Sequence, residues 1–172
     1  MNSFLSDVRH EFRRHKDLAD RAMIALDDET FFRRPSDVVN SVALIVKHLA
    51  GNLSSRWTEF LTSDGEKPGR ARDQEFVIGP QDTRRALLQA WEAGWTALFG
   101  TLEALTEGDL EKLVAIRGEP QTVEQALLRG LSHVAYHTGQ ILYLVRLWHP
   151  DSAWQTIAPG KSGQHRPSYR NQ

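Results

Sequence analysis

Four long stretches of the chain place apolar residues at steps of three and four, and that period commits most of it to amphipathic helix. Over residues 3–26, Leu5, Val8, Phe12, Ala19, Ala22, Met23 and Leu26 share one stripe, with Ser3 or Ser6 able to cap its start. His15 lies on that stripe and His10 nearly opposite. After the break "DDETFFRRPSDVVN" a second helix opens from Asp37 or Asn40 and runs to about Thr62. Its inward stripe is Val38, Val42, Ile45, His48, Leu49, Asn52 and Arg56. Polar residues at 48, 52 and 56 make an unusual core face, and Gly51 among them hints at close packing.

A third helix runs from near Asp82 to about Leu105, with Leu87, Leu88, Trp91, Trp95, Leu98, Phe99, Leu102 and Leu105 on a wide apolar face. The fourth opens on a Thr122–Gln125 capping box and stops at Trp148, because His149 before Pro150 avoids helical geometry. One of its faces carries Ala126, Gly130, His133, His137, Ile141, Leu144 and Trp148. Between helices two and three, "SDGEKPGRARDQEFVIGP" reads as a long loop, a type that is often functional in compact domains. Before helix four, "VAIRGEPQTV" predicts a short hairpin or irregular segment, with a turn at Gly118 to Pro120. Little else reads as strand, so the expected class is all-α, a four-helix bundle in which crossover connections are allowed.

A chain of 172 residues suits one domain, expected over 1–160, with an irregular tail over 161–172. Its 21 basic and 22 acidic residues remove the electrostatic case for nucleic acid or an anionic membrane surface as partner. "VALIV" and "ILYLV" are too short to span a bilayer, and the N-terminus shows no secretory pattern. The expectation is a soluble cytoplasmic protein. The absence of cysteine excludes thiolate ligands and a cysteine nucleophile, so any metal falls to His, Asp or Glu.

That restriction gives weight to "LSHVAYHTGQIL". Side chains four apart on a helix are neighbours, so His133 and His137 can reach one ion together. Both lie on the interior stripe of helix four, and His48 lies on the interior stripe of helix two. Bundles build metal sites from inward side chains on facing helices. Three histidines leave coordination positions open for water or substrate, as catalytic sites do. The competing reading is a set of core histidines hydrogen-bonded to backbone or carboxylate. His15 reads as a core-edge residue or a ligand-orienting contact rather than a fourth ligand. Asn52 and Arg56, one and two turns beyond His48, could orient a ligand, bind a substrate anion, or serve as ordinary cap and ion-pair residues. In the loop, Arg70, Arg72, Asp73 and Glu75 are candidate substrate contacts by position. No G-x-S-x-G, P-loop or G-x-G-x-x-G occurs, and His10-Glu11 lacks the second histidine of a zincin.

The stretch "NSVALIVKHLAGNLSSRWTEFLTSDGEKPGRARDQEF", followed by "LSHVAYHTGQILYL", resembles the DinB-like superfamily, also called the YfiT-like metal-dependent hydrolases. It is most similar to an uncharacterised bacterial subgroup, over about residues 10 to 160. The resemblance implies a four-helix bundle in up-down-down-up order, with a divalent metal, zinc or nickel, on three histidines that map to His48, His133 and His137. It further implies a small-molecule substrate, a low-molecular-weight thiol as a candidate partner, and a homodimer. Better-characterised relatives are thiol transferases or a thiol-dependent isomerase, without this subgroup's loop. Two functional readings follow: a metal-dependent enzyme that activates a thiol or water, or a non-catalytic metal-binding or structural dimer with a stress-related or interaction role.

Overall fold

The computed structural model describes residues 3–151, so the tail expected over 161–172 lies outside the described residues. Each of the four long helices opens on a hydroxyl that satisfies an orphan N–H of the first turn. Helix α1 (Phe4–Ile24) is capped by Ser3, which accepts from the Ser6 N–H. Helix α2 (Asp28–Phe32) is a short turn with an Asp27–Thr30 capping box, and it fills the break after α1 and buries Phe31. Helix α3 (Val42–Trp57) is capped by Ser41, α4 (Arg84–Ala104) by Thr83, and α5 (Val123–Trp148) by Thr122. At the start of α5, Gln125 returns a bond to the Thr122 N–H and completes the expected capping box.

The start of α3 corrects the expected cap at Asp37 or Asn40. The Arg34 guanidinium donates to the carbonyls of Asp37 and Val39 and holds the preceding segment in turns. Val38 is therefore 91% exposed and not on the inward stripe. The helix also ends at Trp57, short of the expected Thr62. Glu59 adopts φ 50°, and the N–H groups of Thr62 and Ser63 both close on its carbonyl.

Cross-helix contacts fix the directions. Arg9 near the start of α1 donates to the carbonyls of Leu102 and Leu105 at the end of α4, and Lys16 pairs with Glu92 at 2.8 Å, so α1 and α4 are antiparallel. Lys47 pairs with Asp82 just before α4, and Thr101 donates to the Trp57 carbonyl at 2.6 Å, so α3 and α4 run parallel. Gly130 lies against Trp57, and the His137 ring lies 4.9 Å from that of His48, so α5 runs opposite to α3. The order is up-down-down-up. Phe12 from α1 meets Trp57 and Trp95 edge-on at 6.2 and 6.5 Å, which places the centre of the core where the four helices converge.

The hairpin pairs β1 (Leu113–Ile116) with β2 (Glu119–Thr122) antiparallel. Its turn is Arg117–Gly118, one residue earlier than expected. Both have positive φ, 59° and 75°, the geometry of a type I′ turn that follows strand twist. Asp64 in the long loop accepts from the N–H groups of Glu66, Arg117 and Gly118, pinning the hairpin tip to that loop. The Val123 N–H donates to the Lys112 carbonyl and ties the hairpin to α5. No helix among the described residues is long and apolar enough to cross a membrane.

Candidate metal centre

Antiparallel packing of α3 and α5 brings three imidazoles together. The Nε2 of His133 lies 3.2 Å from that of His48 and 3.1 Å from that of His137. The ligating atoms of the three all fall within 4.8 Å of one another. His48 is buried, and His133 and His137 are half-buried.

The far side of two rings is fixed. His48 Nδ1–H donates to Glu75 Oε2 at 2.8 Å, and His137 Nδ1–H donates to Gln140 Oε1 at 2.7 Å. Glu75 stays ionised: burial works against its charge, but hydrogen bonds from His48 and Arg70 outweigh it and hold the carboxyl below its usual range. Arg70 grips Glu75 through two nitrogens, at 2.7 and 2.8 Å, and also reaches Glu66 at 3.0 Å. Phe76 stacks on His48 at 4.8 Å between centroids, and Tyr136 meets His137 edge-on at 5.1 Å.

These contacts set the chemistry. Burial first, then the neighbouring histidines, push His133 down to about 3. Burial also pushes His137 down to about 4, against the Gln140 hydrogen bond. Both are neutral at neutral pH. With the Nδ1–H groups of His48 and His137 committed outward, their Nε2 lone pairs face His133 Nε2. One proton on His133 could serve only one of those two pairs, leaving lone pair against lone pair in the other. The buried Nδ1 of His133 has no hydrogen-bond partner among the described residues either. Three convergent ring nitrogens suit a cation, and the carboxylate behind His48 is the outer support that metal-bound histidines commonly have.

The other sequence candidates divide. Asn52 and Arg56 are buried on the α3 stripe beyond His48. Arg70 and Glu75 form the buried support just described. The side chains of Arg72 and Asp73 are exposed and make no hydrogen bond or ion pair with a described residue. His15 stands apart from the cluster, 3.9 Å from Glu11 on its own helix. Gln140 escaped the sequence reading, although its position three residues after His137 on one helix was a usable signal. A groove of about 680 Å³, lined by Val38, Ile45, Tyr136, Gln140, Tyr143 and Leu147 among others, shares with His137 the two residues that flank it.

Comparison with known proteins places the fold. A crystal structure titled as the conserved protein of a locus from Enterococcus faecalis aligns with TM-score 0.63 at 15% identity, covering 86% of this chain and 98% of that one. At that identity the likeness is one of fold. No curated protein matches the chain. The family described as "Protein of unknown function (DUF1572)" matches residues 1–162, and the chain belongs to that family.

Proposed function

We propose that His48, His133 and His137 hold a divalent metal ion, zinc or nickel, and that the chain is a metal-dependent enzyme of the DinB-like type, acting as a thiol transferase or hydrolase. The convergence of three Nε2 atoms, with a buried carboxylate behind His48, carries this reading. The ion, when bound, supplies Lewis acidity that lowers the pKa of a thiol or water reaching it. The chain's own residues do the positioning. Glu75 sets the His48 tautomer, Arg70 keeps Glu75 charged, and Gln140 orients His137. With no cysteine in the chain, a thiol nucleophile comes from a small-molecule partner. The groove beside His137 offers apolar walls for the rest of an electrophile.

A second reading, a non-catalytic metal-binding dimer, draws on the lack of an available base at the cluster among the described residues. Glu75 is the carboxylate in hydrogen-bonding contact with the cluster, and both its oxygens are already engaged. A conjugation screen separates the two. Zinc- or nickel-loaded protein is offered bacillithiol, other small thiols and water with a panel of electrophiles and esters. Enzyme action gives a metal-dependent rate above background that disappears in His133→Ala. A loaded protein that accelerates none of them leaves the binding reading.

A further inference from the structure

Arg56 holds a position that ordinary folding does not explain. It is 6% exposed, and no hydrogen bond or ion pair joins its guanidinium to a described residue. Its Nε is sealed from solvent without a partner. The stem runs beneath the long loop, where a Cβ on Gly65 would stand 3.6 Å from Arg56 Cγ. The loop is pinned there by Ser55, whose hydroxyl donates to the Gly65 carbonyl and accepts from the Lys67 N–H. Nearby charges do not neutralise Arg56. Arg129, Arg70 and Arg117 surround it, with Glu66 as the acidic neighbour. Glu66 is shared with Arg70 at 3.0 Å and Arg117 at 3.6 Å. Burial, followed by Arg129 and Arg70, pushes Arg56 down to about 10, so it remains charged at neutral pH. Asn52, one turn nearer His48, is also 6% exposed, and its side chain makes no hydrogen bond to a described residue.

A buried cation without a counter-charge is costly, and a guanidinium is the side chain best shaped to hold a carboxylate or phosphate through paired N–H groups. We infer that Arg56 and Asn52, with Arg129 and Arg117 at the rim, form an oxyanion-binding subsite beside the histidine cluster, which takes the carboxylate or phosphate group of the small-molecule substrate or thiol. This rests on the proposed function for its substrate but not for its anion. On α3, Asn52 stands one helical turn from His48 and Arg56 a second turn on, all three buried on the same stripe, which sets the subsite along the helix from the metal centre. Such a site would hold the anionic end of a reactant while its reacting atom sits at the histidines.

The test titrates inorganic phosphate and, separately, malonate into the full-length protein, following the Arg56 Nε–H resonance by NMR and heat by calorimetry. Saturable binding is expected that shifts this resonance, with the tighter of the two anions identifying the group. Binding should survive His133→Ala, which removes the metal, and weaken about 10–100-fold in Arg56→Met, which removes the charge-assisted bonds. Arg56→Lys, which keeps the charge without the fork, should weaken it less and guards against misfolding of the Met variant. Anion binding that vanishes in His133→Ala but persists in Arg56→Met would place the anion on the metal and overturn the subsite. Absence of saturable binding to the wild type would overturn it too, while leaving the metal reading intact. A wild type that binds no divalent metal but keeps anion binding would do the reverse.

Discussion

At Gly51 the Glu75 carboxylate presses against α3 so closely that a Cβ would stand 2.9 Å from Glu75 Cδ. The glycine lowers helix propensity, and in return the carboxylate reaches His48. Gly51→Ala should change the unfolding free energy by less than about 1 kcal/mol, because the helix gain offsets the displaced side chain. Metal affinity should nevertheless fall roughly 10–100-fold, the usual effect of losing an outer partner of a histidine ligand. Glu75→Gln should weaken the metal similarly, since the amide leaves Arg70 without its carboxylate. Competition with a chelator measures both, and unchanged affinity in both variants would show that Glu75 does not support the site. The histidines themselves were legible from spacing, because a helical period places 133 beside 137 whatever the tertiary fold. Glu75 was legible only as a loop acid. Its bond to His48 spans 27 residues of irregular chain, and no local pattern encodes that return.

Between elements, two contacts fix the frame around the site. On α4, a Cβ at Gly94 would lie 3.0 Å from the Ala50 carbonyl and 3.1 Å from Leu53 Cβ, so the parallel pair α3–α4 touches backbone to backbone there. Gly94→Val should destabilise by about 1–3 kcal/mol through overpacking, measured by urea unfolding. A neutral result would mean the helices can separate freely. Asp64 joins the long loop to the hairpin, and its three N–H donors hold its pKa below the ordinary 3.8. A depressed carboxylate contributes stability that is present above 3.8 and lost as pH falls through the lower folded value. Asp64→Asn should therefore lose stability at pH 6 and show a shallower acid dependence below pH ~4 than the wild type. Parallel acid dependences would contradict the assignment. Helix cores were legible in sequence, as were the Ser3 cap of α1 and both ends of α5, whereas the ends of α3 were not. The α3 start moved to Ser41 because Arg34 claims two carbonyls ahead of it, a tertiary choice that cap propensity does not record.

Over the whole molecule, the up-down-down-up order follows from contacts between helices far apart in sequence. Amphipathic stripes show which face is buried but not which neighbour covers it, so the spacing alone left the order open. Three tryptophans and Phe12 fill the centre without help from the histidines. Chelation should therefore leave helical circular dichroism unchanged. It should also remove only the stabilisation that metal binding adds, about 2.7 kcal/mol at a hundredfold excess over Kd. Unfolding on chelation would instead make the centre structural. The most direct measurement is the metal content of untagged protein. About one zinc or nickel per chain is expected in the wild type and near none in His133→Ala and His137→Ala, both still helical. A wild type that binds no divalent ion with micromolar affinity, or variants that keep it, would contradict the three-histidine centre.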